Sequence, residues 1–180
     1  FAGRLVPKKG VDVLLHAMVL LRKRVPEVRL IVAGDGPERI GLERLAAELG
    51  IRDAVDFLGQ LAQEQAEHAL GAAWVQAVPS RWEEPFGLVA AEAMMRGTAV
   101  VASESGGLAE QVEPGATGYL APAGDAGALA RALEQVVRDR DLAERMGASA
   151  RVRALAELTI YRHVDRVVAA HLACRRGGGR

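Results

Sequence analysis

Short apolar runs alternate with amphipathic stretches along most of this chain, and that alternation restricts the fold more than any other feature. Residues 28–33 and 98–102 are largely apolar and β-branched runs, the pattern of strands buried on both faces. Between the runs lie segments with apolar residues three and four apart, such as Val11, Leu14, Leu15, Met18, Val19 and Leu21, which is helical spacing. Strands alternating with helices in this way form an α/β domain with a mainly parallel sheet and right-handed crossovers.

The expected strands are 1–5, 28–33, 54–58, 74–78, 98–102 and 118–121. The expected helices are 11–24, 38–49, 63–70, 85–96 and 108–112. After Pro122 only helices are expected, at 125–139, 141–155 and 160–174, with Asp125 and Asp141 placed to cap the first two. Residues 1–174 read as one folded domain. The tail 175–180, with three consecutive glycines, reads as disordered.

Composition narrows the function classes. The 180 residues are half apolar and about a quarter charged, enough for one sizeable core. Lys plus Arg equals Asp plus Glu at 23 each, so there is no electrostatic footprint for nucleic acid or an anionic membrane. Cys174 stands alone, which excludes a disulfide framework within the chain and suits a reducing, cytoplasmic compartment. No segment approaches about 18 unbroken apolar residues, and no secretory signal opens the chain. Phe1-Ala2-Gly3 enters a core strand without a methionine, so the chain reads as a portion of something longer. His16, His68, His163 and His171 lie in helical patterns, and no cluster has metal-ligand spacing, so no metal is expected.

The stretch from Ser80 to Gly97 carries the strongest functional signal. From Leu88 to Met95 every residue is apolar except Glu92, so the helix is expected to be buried on most sides and Glu92 to need a partner. That partner is either a hydroxyl-rich ligand or an arginine inside the fold. Free backbone N–H groups around residues 86–89 offer an anion site at the helix start. Arg4 and Lys9 flank the loop after the first strand, where they are either diphosphate ligands or surface cations. Gly34-Asp35-Gly36-Pro37 is a turn whose glycines also allow close approach of a nucleoside. Gly106 and Gly107 open another helix, which is commonly a structural role.

Glu84-Pro-Phe-Gly-Leu-Val-Ala-Ala-Glu92 resembles the E-x7-E signature of the retaining GT-B glycosyltransferases, the family labelled "glycosyl transferases group 1", of family 4 type. Gly3-Arg4-Leu5-Val6-Pro7-Lys8-Lys9-Gly10, Val32 to Pro37, Val55 to Gly59, Val78-Pro79-Ser80 and Ser105 to Glu110 resemble further blocks of that family in its order. Together they cover roughly residues 1 to 140. The resemblance implies a Rossmann-like, doubly wound parallel sheet of about six strands, with helices on both faces and extra C-terminal helices.

It also implies function: the donor-binding half of an enzyme that transfers a sugar from a nucleoside diphosphate sugar (a UDP- or GDP-sugar), with no cofactor and no metal. In that reading Arg4 and Lys9 hold the diphosphate and stabilise it as it leaves, and Lys9 rather than Lys8 is in register. Glu84 contacts hydroxyls of the transferred sugar, Phe86, Gly87 and Leu88 offer backbone N–H groups, and Glu92 takes the ribose diol. Gly3, Gly34 and Gly36 line the donor site, and residues 59–64 meet a nucleobase whose identity stays open. Glu83, one residue out of register, leaves open which of the two adjacent acids is exposed. The acceptor-binding domain would lie N-terminal to this chain, with peripheral membrane attachment through that domain as an open alternative, and the chain alone would be inactive.

Ala73-Trp74-Val75 and Thr98-Ala99-Val100 depart from the common family pattern. These departures bear on local packing or subfamily, not on class. The alternative reading is a nucleotide-sugar binding module without transfer activity. A nicotinamide-dependent enzyme is disfavoured because the first strand lacks the G-x-G-x-x-G turn.

Overall fold

The computed structural model describes residues 1–177. Five strands, β1 (Leu30–Ala33), β2 (Val55–Gly59), β3 (Val75–Val78), β4 (Ala99–Ser103) and β5 (Gly118–Ala121), alternate with helices α1 (Val11–Arg22), α2 (Arg39–Glu48), α3 (Gln63–Gly71), α4 (Leu88–Arg96) and α5 (Gly107–Gln111). Three more helices follow: α6 (Ala126–Val137), α7 (Arg140–Glu157) and α8 (Ile160–Gly177). The strand ladders are parallel, β1 with β2 in one group and β3–β4–β5 in another. This is the α/β Rossmann-like architecture implied by the sequence.

Burial explains the uninterrupted apolar strands. Every residue of β4 is buried. Ala99 and Val101 join the core beneath α1 and α6, whereas Val100 and Ala102 join the one beneath α4 and α7. A sheet covered on both faces leaves no polar side, so alternation disappears.

The expected strand at 1–5 is a correction: it makes only an isolated parallel bridge, Ala2 to Ala33, so the described residues hold five strands rather than six. Its backbone does follow β1, with Ala33 N donating to Phe1 O at 2.9 Å, Gly3 N to Ala33 O at 2.9 Å and Leu5 N to Asp35 O at 2.9 Å. No backbone bond joins it to β3 on the other side. Paired on one edge for so few residues, the segment falls short of a strand. A cavity of about 360 Å³ lies beside it, lined by Phe1, Leu14, Met18, Leu30, Gln76 and Ala77 among others.

Helix ends differ from expectation where capping decides them. α4 begins at Leu88 rather than Pro85, because its N-cap Gly87 is left-handed, with φ of 85°. Asp125 caps α6 as expected, accepting from Ala128 N at 2.8 Å. Asp139, not Asp141, caps α7, accepting from Leu142 N at 2.9 Å, and Asp141 sits in its first turn. α8 continues to Gly177, past the end expected at Cys174, and residues 178–180 of the expected disordered tail lie outside the described residues. No helix among the described residues is long and apolar enough to cross a membrane.

Phe1 N donates to Ile31 O at 2.8 Å.

Candidate functional site

The loops at the carboxyl ends of the strands meet around one side chain, Glu84. β3 leads through buried Pro79 and Ser80 into an exposed turn, Arg81 to Glu83, and the chain then dives so that Glu84 is 6% exposed. Backbone bonds hold it there: Arg81 N donates to Lys8 O at 2.8 Å and Gly107 N to Glu84 O at 2.7 Å. Gly106 is required by this approach, since a Cβ there would sit 2.4 Å from Glu84 O. Gln111, buried on α5, donates its Nε2 to Phe86 O.

Two donors meet the Glu84 carboxylate on the same oxygen. Lys9 Nζ donates to Oε1 at 2.5 Å and Ser80 Oγ donates to Oε1 at 2.6 Å. Burial pushes the Glu84 pKa up, but the bonds from Lys9 and Ser80, the Lys9 charge and a smaller contribution from Trp82 outweigh it and hold the carboxyl below its usual value. The ionised form is therefore the resident one. Glu83 is exposed, which resolves the ambiguity between the neighbours in favour of Glu84 as the inward acid.

Glu92 reverses the expectation drawn from its neighbours. It is exposed, and no hydrogen bond or ion pair involves it among the described residues. Ala90, Ala91, Ala93 and Met94 are buried, but Glu92 shares the outer stripe of α4 with Leu88, four residues earlier and 66% exposed. Beside it the start of α4 is open. The N–H groups of Gly87, Leu88 and Val89 donate to no group among the described residues, leaving three donors without a partner at the positive helix end.

A second part of the site is a depression of about 490 Å³ lined by Gly3, Arg4, Gly34, Asp35, Gly36 and Gln60. Arg4 is exposed at its edge, with no ion-pair partner among the described residues. Gly34 and Gly36 are explained by packing alone, since a Cβ would lie 1.9 Å from Gly3 O and 2.4 Å from Leu5 O respectively. Asp35 accepts from Arg39 at 2.8 Å and from Gly36 N at 2.7 Å, and these bonds lower its pKa.

The structure thus groups Gly3, Arg4, Gly34 and Gly36 around one hollow. It groups Lys9, Glu84, Phe86, Gly87 and Leu88 along the loop into α4. The sequence pattern assigns no role to Ser80, within Val78-Pro79-Ser80, or to Gln111, and it is their contacts with Glu84 and Phe86 that single them out. Gln60 fell within the segment expected to meet a base. Among the described residues no group of three or more His, Cys, Asp or Glu is placed to hold a metal.

Residues 1–153 match the family described as Glycosyl transferases group 1. The chain belongs to that family. This glycosyltransferase domain is 44% identical over 161 residues to a D-inositol 3-phosphate glycosyltransferase of Streptomyces scabiei, covering 83% of this chain and 35% of the relative. It is 38% identical over 157 residues to a GDP-mannose-dependent alpha-(1-6)-phosphatidylinositol monomannoside mannosyltransferase of Mycobacterium tuberculosis, covering 83% and 40%. Anabaena HepE, solved in complex with UDP-glucose, matches it with a TM-score of 0.82 and 29% identity over 96% of this chain and 48% of that one. The chain spans roughly a third of the length of the curated relatives it matches.

The two acids of the E-x7-E signature should separate in a stability measurement. Glu84→Gln removes a buried charge from two donors and should cost about 1 to 3 kcal/mol, whereas exposed Glu92→Gln should stay within about 0.5 kcal/mol. Denaturant midpoints at neutral pH check this. The Glu84 contribution should be complete above its ordinary pKa of 4.5 and be lost as pH falls through its lowered folded value.

Proposed function

We propose that this chain is the donor-binding half of a retaining glycosyltransferase, taking a sugar from a nucleoside diphosphate sugar without a divalent metal and passing it to an acceptor held by another domain. The observation that carries this is the half-buried Lys9–Glu84 pair beside the N–H groups at the start of α4 that have no partner among the described residues. A diphosphate sugar offers what such a site matches: an anion for the cation and helix end, and hydroxyls for the carboxylate. Its position at the carboxyl ends of a parallel sheet suits a nucleotide ligand.

In this reading the hollow between Gly3, Gly34, Gly36 and Gln60 receives the nucleoside side of the donor, with Arg4 at its rim. Exposed Glu92, one helical turn beyond the α4 N-terminus, is free to accept from a ribose diol. As the bond from the anomeric carbon to the diphosphate oxygen breaks, negative charge grows on the leaving group. Arg4, Lys9 and the N–H groups of Gly87 and Leu88 then stabilise that charge more strongly than in the ground state. No protein nucleophile is required. The relatives named for GDP-mannose and solved with UDP-glucose support a hexose donor of this class. With the acceptor side absent, the chain by itself binds donor and does not turn it over, and the lone cysteine suits a cytoplasmic setting.

Calorimetry with UDP and GDP tests the assignment. Arg4→Ala and Lys9→Ala should each weaken binding of the preferred diphosphate by about 1.5 to 3 kcal/mol while leaving the bare nucleoside nearly unchanged. EDTA should leave the affinity of the unaltered chain in place, whereas a metal-bridged diphosphate would lose most of it. Equal losses for nucleoside and diphosphate, or collapse in EDTA, would remove the diphosphate from these cations.

A further inference from the structure

We propose that Ser80 is a positioning residue for the donor sugar: its hydroxyl anchors one oxygen of Glu84 so that the other is presented to a sugar hydroxyl while Lys9 serves the diphosphate. This rests on the reading of the site given above and assigns a residue that reading does not use.

The argument starts from a conflict over Lys9. Its ammonium carries three donors on a flexible stem, and it lies 2.5 Å from Glu84 Oε1. A bound diphosphate competes for that same charge. As Lys9 turns toward phosphate, Glu84 loses its principal neutralising partner while remaining 6% exposed. A buried carboxylate left without a donor is costly, and its terminal torsion is soft.

Ser80 is the donor that does not leave. It is 1% exposed and follows buried Pro79 at the end of β3, and its side chain has one rotatable carbon–carbon bond. The O–H to carboxylate distance of 2.6 Å lies in the range of charge-assisted bonds. Ser80 and Lys9 both bond to Oε1, so Oε2 keeps its lone pairs for a ligand. The Glu84 backbone is clamped separately through Gly107 N at 2.7 Å, which leaves Ser80 the task of orienting the carboxyl group rather than the chain.

The experiment compares UDP with UDP-glucose and GDP with GDP-mannose, by calorimetry on the unaltered chain and on Ser80→Ala, Ser80→Thr and Lys9→Ala. In the unaltered chain the sugar should add affinity over the bare diphosphate for at least one pair. Ser80→Ala should reduce that sugar-dependent gain about tenfold, or abolish it if it is smaller, while diphosphate affinity stays within about twofold. Ser80→Thr, which keeps the hydroxyl, should restore it, and Lys9→Ala should instead weaken the diphosphate itself. An undiminished sugar gain in a folded Ser80→Ala chain overturns the inference and leaves the site reading standing. So does parallel loss of diphosphate and sugar affinity, which marks Ser80 as a support of the whole loop. Failure of the unaltered chain to bind either diphosphate, or to gain from either sugar, removes the site reading and this inference with it.

Discussion

A carboxylate buried at the mouth of a parallel sheet cannot stand without donors, and meeting that need organises this site. Glu84 draws Lys9 from the short turn before α1 and Ser80 from the end of β3 onto one oxygen. Its own carbonyl holds the loop that opens α5. Segments distant in the chain are thereby fixed relative to one another by a few short bonds. Arg81 N on Lys8 O and Gln111 on Phe86 O extend the same network. Removing the charge would weaken the hold on the Lys9 turn and on Ser80, while the backbone bond from Gly107 N to Glu84 O does not depend on it.

The sheet makes that arrangement available. Parallel strands deliver all their following loops to one edge, and covering β4 on both faces lets helices approach from either side. α4 is inserted with its buried alanines and Met94 against β3 and β4. Its N-terminus must then emerge at the carboxyl edge, directly after the loop that carries Glu84. A left-handed Gly87 turns the chain into it and leaves the first N–H groups unused by the fold. The acid and the helix start are therefore neighbours by topology, and that juxtaposition is what suits an anionic, hydroxyl-rich ligand.

The two signature acids show how far sequence reasoning reaches. Glu92 stands among alanines and methionines, and composition alone argued that it was buried. Helical periodicity instead sets it with Leu88 on an outward stripe, because small residues on the inner face need no apolar partner on the outer one. Glu84 sits beside polar and turn-forming residues that suggest exposure, yet it is the buried acid. Its partners lie 75 residues away in Lys9 and four away in Ser80, and no local pattern announces the first of these. The start of α4 and the cap of α7 were misplaced for a related reason: Pro85 and Asp141 are each compatible with a helix start, and backbone geometry chose Leu88 and Asp139.

The alternation of apolar runs and amphipathic segments, by itself, determined the α/β class, the parallel pairing and most of the elements. These follow from local period and from the requirement that both faces of a parallel sheet be covered. Tertiary structure alone decided that residues 1–5 pair on a single edge of β1. It also decided that Gly34 and Gly36 are required by packing against Gly3 and Leu5, and that Glu84 rather than Glu92 is the inward acid. Each of these depends on which segments the fold presses together, and contact between residues far apart in the chain is not encoded in the spacing of either one.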